Sequence, residues 1–221
     1  MKQEKIVRHI DHTMLKPTTD WNSIEKLCRE AVEFQTAAVC IPSCYVKRVK
    51  ETFQETLNIC TVVGFPLGYC NTAAKLAETK QAIQDGASEI DMVINLCDVK
   101  NGAFEKVEDE IRVLKECCGE KILKVIIETC YLTEEEKKML CKAVTRAGAD
   151  FIKTSTGFGT AGAAMEDILL MKEHIGEKVK IKAAGGIKSI KDMEEFLRAG
   201  CERLGTSSGI ALLQGEESGG Y

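Results

Sequence analysis

Residues 147–154 read AGADFIKT, and two other stretches repeat the phrase: DGASEIDMV at 85–93 and AGCERLGT at 199–206. Each closes a helix-like segment, turns on a glycine and enters a short apolar run, which is one helix-to-strand junction used three times. Five residues past Gly86, Gly148 and Gly200 stand Asp91, Lys153 and Gly205. Superposed units therefore set Asp91 and Lys153 at one height on two different strands. Working outward, eight strand-like runs alternate with amphipathic, charged stretches: DHTML, TAAVCI, ICTVVGF, EIDMVI, KILKVIIE, DFIKTS, KIKAAGG and RLGTSS. Repeated βα units run their strands parallel with right-handed crossovers, and eight of them close most simply into a (β/α)8 TIM barrel of the α/β class. An open doubly wound sheet is the alternative, disfavoured because no GxGxxG follows the first strand.

The clearest helix lies in YLTEEEKKMLCKAVTRAGAD, 131–150. Thr133 is placed to cap it, Glu136 to close a capping box and Gly148 to end it, with Leu140, Ala143, Val144 and Ala147 as the buried face. Only three prolines occur in the chain and no linker breaks the pattern, so a single domain over 1–213 is expected, followed by a flexible tail over 214–221.

At 221 residues the chain is long enough for one barrel with a sizeable core. Charged residues are 29% of it and the net charge is only −4, which gives no electrostatic case for nucleic acid or an anionic membrane. The opening MKQEKIVRHID is charged, and no apolar run approaches the ~18 residues of a span, so a cytoplasmic protein is expected. The 11 cysteines, among them Cys28, Cys60, Cys141 and Cys201, fall in predicted helices and strands without the spacing of a disulfide framework and read as buried, reduced thiols. Three histidines, His9, His12 and His174, form no HxH or HExxH pattern, and Cys40 and Cys44 in CIPSC have no second pair, so no metal is expected. His174 reads as a charge at a helix C-terminus.

In a barrel the carboxyl ends of the strands and the loops after them build the active site. Lys153 on the sixth strand, Lys182 on the seventh and Asp91 on the fourth are the polar residues late in their strands. Lysines at matching heights on neighbouring strands share a space about 4.8 Å wide, where two ammonium groups disfavour one another and one amine becomes a nucleophile. Asp91, approaching from the other wall, balances the charge and holds a water that moves protons. The trio suits imine chemistry with a carbonyl. Each residue has a plain alternative: a snorkelling strand-end lysine, the last of a solvated KVKIK alternation, and a cap. Lys124 and Glu128 in LKVIIET share a strand face and extend the network. The loops TSTGFGTAG (154–162), AAGGIKS (183–189) and LGTSSGIA (204–211) combine glycines with the Ser207 and Ser208 hydroxyls, and GIALL begins a short helix, which together suit a phosphate. Gly185 and Gly186 serve equally well as a plain turn when taken alone.

Taken in chain order, IDHTMLKP, EIDMVIN, LKVIIET, FIKTSTGFG, KIKAAGGI and LGTSSG resemble the motifs of the deoxyribose-phosphate aldolase family, from about residue 9 to 213. The resemblance implies a class I aldolase on a TIM barrel, without a cofactor, that reversibly cleaves 2-deoxy-D-ribose 5-phosphate to D-glyceraldehyde 3-phosphate and acetaldehyde. By it, Lys153 is the Schiff-base lysine, Lys182 the partner that favours its neutral form and Asp91 the proton carrier. Gly157, Gly185, Gly186, Ser207 and Ser208 fall where the family contacts the sugar phosphate, and Asp11 and Thr13 face the same pocket. Tyr221 resembles the family's C-terminal tyrosine, which implies a part in proton transfer, and reads equally well as the end of a disordered tail. Phe158 stands where a basic residue can follow TSTG, and Ala183 where proline can follow the second lysine. A homodimer is expected. The competing readings are another Schiff-base aldolase, of the transaldolase or fructose-bisphosphate type, and a module that carries pyridoxal phosphate on Lys153 without turnover.

Overall fold

The structure, a computed structural model, describes residues 3–215. Its strands are β1 Ile10–Thr13, β2 Ala38–Ile41, β3 Ile59–Val63, β4 Glu89–Val93, β5 Ile122–Ile126, β6 Phe151–Lys153, β7 Lys180–Ala184 and β8 Cys201–Thr206. All eight expected runs are strands, each parallel to its neighbours, and β8 pairs with β1 to close the barrel. The helices are α1 Gln3–Val7, α2 Trp21–Phe34, α3 Val46–Phe53, α4 Thr72–Gln84, α5 Leu96–Lys100, α6 Phe104–Cys118, α7 Glu134–Arg146, α8 Met165–His174, α9 Ile190–Ala199 and α10 Gly209–Leu213. No helix among the described residues is long and apolar enough to cross a membrane.

Local chemistry sets these boundaries. Thr133 caps α7 by accepting from the Glu136 N–H while the Glu136 carboxylate accepts from the Thr133 N–H, the expected capping box. Leu140, Ala143, Val144 and Ala147 are buried, and Gly148 takes φ 76° just beyond the helix. Along the strands the side chains alternate between two environments. Outward residues such as Val39, Ile90, Met92, Val125, Ile152, Ile181 and Leu204 are fully or almost fully buried with the helices in the main apolar core. Of the inward residues, Ala38, Cys40, Cys60 and Val62 on β2 and β3 form a small apolar wedge with Leu15. Most of the other inward side chains are charged.

Register partners on parallel strands share a face, and tilted barrel strands climb about one residue per strand, so residues at one height come from alternate strands. The observed registers sort the interior accordingly. Cys40, Asp91, Lys153 and Gly205 form one layer on β2, β4, β6 and β8. Asp11, Cys60, Lys124 and Lys182 form the layer beneath on β1, β3, β5 and β7. Ala38, Glu89, Phe151 and Arg203 lie at the floor. The repeated phrase thus marks a real layer, since Asp91, Lys153 and Gly205 are three of its four members. Lys153 and Lys182 are register partners, but the tilt sets Lys182 one layer deeper.

All 11 cysteines are free thiols. Cys28, Cys60, Cys141 and Cys201 are buried as expected, whereas Cys44 and Cys97 are exposed, because each opens a helical turn just past a strand end. Gln214 and Gly215 follow α10, and the rest of the expected tail, with Tyr221, lies outside the described residues.

Candidate active site

Among the described residues, four cations and three carboxylates lie together inside the barrel. Asp91, fully buried, is the centre: its Oδ2 accepts from Lys153 Nζ and from Lys182 Nζ, both at 2.7 Å, and its Oδ1 accepts from Lys124 Nζ at 2.9 Å. Lys182 Nζ also reaches Asp11 Oδ2 at 2.5 Å, and Lys124 Nζ reaches Glu89 Oε2 at 2.5 Å. At the floor, Arg203 bridges Asp11 Oδ1 at 2.5 Å and Glu89 Oε1 at 2.9 Å. The sequence reading pairs a lysine with a lysine; the structure interposes a carboxylate between them.

The electrostatics follow from that order. Burial by itself pushes the Asp91 carboxyl up, but Lys124, Lys153 and Lys182 together outweigh it and hold the group well below the usual carboxylate range. Asp11 is lowered in the same way, burial being overridden by Lys182, Lys124 and Arg203. Burial opposes the charge on Lys182, yet Asp11 and Asp91 raise it above the usual lysine value, and Asp91, Cys60, Asp11 and Glu89 do the same for Lys124. Both therefore remain ammonium groups. An arginine does not deprotonate in a protein. With every group charged, Lys124, Lys153, Lys182 and Arg203 exceed Asp11, Glu89 and Asp91 by one positive charge. Loss of one proton makes the interior neutral, and Lys153 is the member that borders the cleft.

That cleft, about 330 Å³, opens above the Cys40–Gly205 layer. Thr13, Lys153, Gly157, Gly185, Gly186, Ser207 and Ser208 line it. Asp11, Asp91 and Lys182 do not; they are buried beneath its floor. For Asp11 this corrects the expectation of a pocket-facing residue, since its position two residues before Thr13 on β1 puts it in the layer beneath Lys153. Gly185 and Gly186 have φ of 75° and 71°, a consecutive left-handed pair that only glycines adopt without strain, and it bends the β7 loop under the cleft. A Cβ at Gly162 would stand 2.3 Å from the Gly185 carbonyl carbon, so the β6 and β7 loops are stacked backbone on backbone.

Glu128 accepts from Thr156 rather than from a lysine of the network, although Lys153 is near enough to lower its carboxyl. β5 ends at Ile126, and Glu128 takes a left-handed conformation, φ 52° and ψ 67°, so it shares no strand face with Lys124. Its carboxylate, raised by burial against the hydrogen bonds from Thr156, accepts from the Thr156 N–H at 3.1 Å and from the Thr156 hydroxyl. Lys124 does belong to the network.

Five participants escape the sequence reading. Glu89 and Arg203 each lie two residues before a residue it singled out, Asp91 and Gly205, so period-two alternation alone would place them on the inward face. Thr156, Thr206 and Lys188 line the cleft. Lys188 sits two residues past Gly186, exposed, and supplies a cation on the side of the two glycines. Phe158, where the family can carry a basic residue, instead meets Phe65 edge to face at 5.4 Å. Two groups have ligand atoms close enough for a metal, Cys40 with Cys60 and Asp91, and Asp11 with Cys60 and Glu89. Their carboxylates are already neutralised by ammonium and guanidinium groups, and a divalent ion beside those cations would be repelled.

The family model described as DeoC/LacD family aldolase matches residues 5–215. A Clostridium botulinum protein named deoxyribose-phosphate aldolase is 62% identical over 221 residues, which cover 100% of both chains. Among solved structures, a putative deoxyribose-phosphate aldolase from Coccidioides immitis is 37% identical with a TM-score of 0.93, covering 97% of this chain and 87% of that one. A deoxyribose phosphate aldolase from Aeropyrum pernix, described as having a unique tetrameric structure, is 28% identical with a TM-score of 0.88 and coverages of 96% and 91%. A match of this extent, on a barrel that carries a cleft-facing lysine above a buried carboxylate, leaves one conclusion: the chain belongs to the DeoC/LacD family of aldolases and is a carbon–carbon lyase.

Proposed function

We propose that this aldolase reversibly cleaves 2-deoxy-D-ribose 5-phosphate to D-glyceraldehyde 3-phosphate and acetaldehyde through a Schiff base on Lys153, in the cytoplasm and as a homodimer. The observation that carries the reading is the position of Lys153: its Nζ lies at the cleft, 2.7 Å from an Asp91 oxygen that Lys182 also holds. Lys182, kept as an ammonium, disfavours a second charge beside it and lets Lys153 react as the neutral amine.

In the cleavage direction the Lys153 amine attacks the C1 aldehyde of the open-chain sugar and water leaves, giving the protonated imine. The C3 hydroxyl gives up its proton, the C2–C3 bond breaks, and its electron pair moves into the imine to form an enamine while glyceraldehyde 3-phosphate departs. Protonation at C2 and hydrolysis then release acetaldehyde and return the amine. The proton route this geometry supports runs between Lys153 Nζ and Asp91 Oδ2, with the Lys182 ammonium held on the same oxygen, beneath the substrate and out of bulk solvent. The Gly185–Gly186 turn, Gly157, Ser207, Ser208 and Lys188 surround the part of the cleft suited to a phosphate, with N–H groups, hydroxyls and one ammonium. Lys188 compensates for the cation that Phe158 does not supply.

Borohydride trapping with acetaldehyde, followed by peptide mass spectrometry, tests the reading. An ethyl group on Lys153 is expected; an active enzyme with adducts only on surface lysines would refute the assignment. A visible absorbance of the purified protein near the pyridoxal band would favour the cofactor-carrying alternative.

A further inference from the structure

The floor of the barrel holds an ion pair that never meets the cleft. Arg203 and Glu89 lie two layers below Lys153, their side chains 13% and 3% exposed, joined at 2.9 and 3.2 Å. They are tied to the cleft by two unbroken runs of ionic contacts. One passes from Arg203 through Asp11, Lys182 and Asp91 to Lys153, at 2.5, 2.5, 2.7 and 2.7 Å. The other passes from Glu89 through Lys124 to Asp91, at 2.5 and 2.9 Å. A TIM-barrel interior is ordinarily filled by branched apolar side chains, and a buried ion pair rarely stabilises more than an apolar filling of equal volume. Stability alone gives no reason for this pair.

We propose that Arg203 and Glu89 are positioning residues that set the protonation balance of the interior and thereby the pH at which Lys153 becomes a nucleophile. The inference rests on the Schiff-base role of Lys153. With all groups ionised the interior carries one surplus positive charge, and release of the Lys153 proton removes it. Taking away the Arg203 charge makes the interior neutral with Lys153 still protonated, so the amine is freed only at higher pH. Taking away the Glu89 charge leaves a surplus of two, so the amine is freed at lower pH. The groups that face Lys153 from the packed elements are Asp11 on β1, Cys40 on β2, Cys60 on β3, Asp91 on β4, Lys124 on β5 with Glu128 beyond it, and Lys182 on β7, with Lys188 across the cleft. Neither substitution replaces any of these groups. One unit charge at a separation of two layers, in a medium of effective dielectric about 20, shifts such a titration by about one pH unit.

The test is the pH profile of acetaldehyde trapping on Lys153 with cyanoborohydride, read by mass spectrometry as a ratio to wild type at each pH. Arg203→Met is expected to move the midpoint about one unit alkaline and Glu89→Gln about one unit acid, with the double variant returning toward wild type. Arg203→Lys, which keeps the charge but not the fork, is expected to keep the midpoint. Two midpoints that move in the same direction, or that stay within about 0.2 unit of wild type in folded protein, overturn the proposal, because a purely structural role loosens the site without a sign. Should Arg203→Met fail to fold, Glu89→Gln carries the test alone, and an unmoved profile overturns it. Absence of a Lys153 adduct in wild type would instead refute the Schiff-base reading on which this inference rests.

Discussion

Replacing Asp91 with asparagine removes the one group on which three ammonium groups converge. In the wild type its oxygens accept from Lys153 and Lys182 at 2.7 Å and from Lys124 at 2.9 Å, all buried. The asparagine keeps the volume and one acceptor oxygen but loses the charge, so the interior surplus rises from one positive charge to two. Breaking a buried pair in this way costs about 3–5 kcal/mol. At about 2–4 °C per kcal/mol for a chain of this length, the melting temperature should fall by roughly 6–20 °C at pH 7. The loss has a sign in pH. The folded Asp91 carboxyl titrates below its ordinary value, so its contribution is complete above the unfolded value of about 4 and is lost as the pH falls through the folded one. Urea titration of both proteins, with urea chosen because it leaves ionic contacts unscreened, should therefore show the full gap from pH 6 to 8 and a closing gap below about pH 4. The same variant should still trap acetaldehyde on Lys153, since the surplus charge favours the free amine, while cleavage falls by more than a hundredfold for want of the proton carrier. A variant within 1 kcal/mol of wild type at pH 7, or a gap that persists unchanged at pH 3, would show that Asp91 does not hold the network.

Gly162→Ala should damage substrate binding with little effect on the chemistry of the lysine. Its methyl group would meet the Gly185 carbonyl carbon at 2.3 Å, backbone that cannot rotate away, so the Gly185–Gly186 turn must shift; KM for the sugar phosphate should rise at least tenfold while acetaldehyde trapping is retained, and an unchanged KM would refute the stacked-loop account. Lys188→Ala, at an exposed cleft residue, should raise KM for the phosphorylated sugar roughly tenfold and leave the unphosphorylated sugar unaffected, as steady-state kinetics on the two substrates would show. Equal losses on both substrates would place Lys188 away from the phosphate.

The barrel was legible because glycine positions, cap residues and apolar runs are local, and three copies of one junction fix a common register. AGADFIKT shows this best: the count from Gly148 to Lys153 locates the side chain in its layer before any contact is known. The layer beneath was less legible. Asp11, Lys124 and Lys182 come from strands up to 171 residues apart, and only the tilt of the closed barrel brings Lys182 Nζ onto Asp11. Glu128 shows the opposite failure, since continuing the β5 alternation past Ile126 predicts a strand face where the backbone has already turned left-handed. Arg203 and Glu89 read as ordinary charged residues because their partners lie on other strands.

The charged interior also explains why Lys153, in the proposed Schiff-base role, needs no deep apolar pocket. An isolated buried ammonium is costly and gives up its proton readily, but it would leave its own strand poorly anchored. Here the cost is shared. Lys124, Lys182 and Arg203 are fixed as cations by the carboxylates around them, and Lys153 is the lysine of the network that borders the cleft. The network thus separates two tasks that a single buried lysine would have to combine: the deeper cations keep the interior carboxylates paired, and Lys153, bonded to a single carboxylate oxygen, has only that bond to exchange in the proposed Schiff-base role.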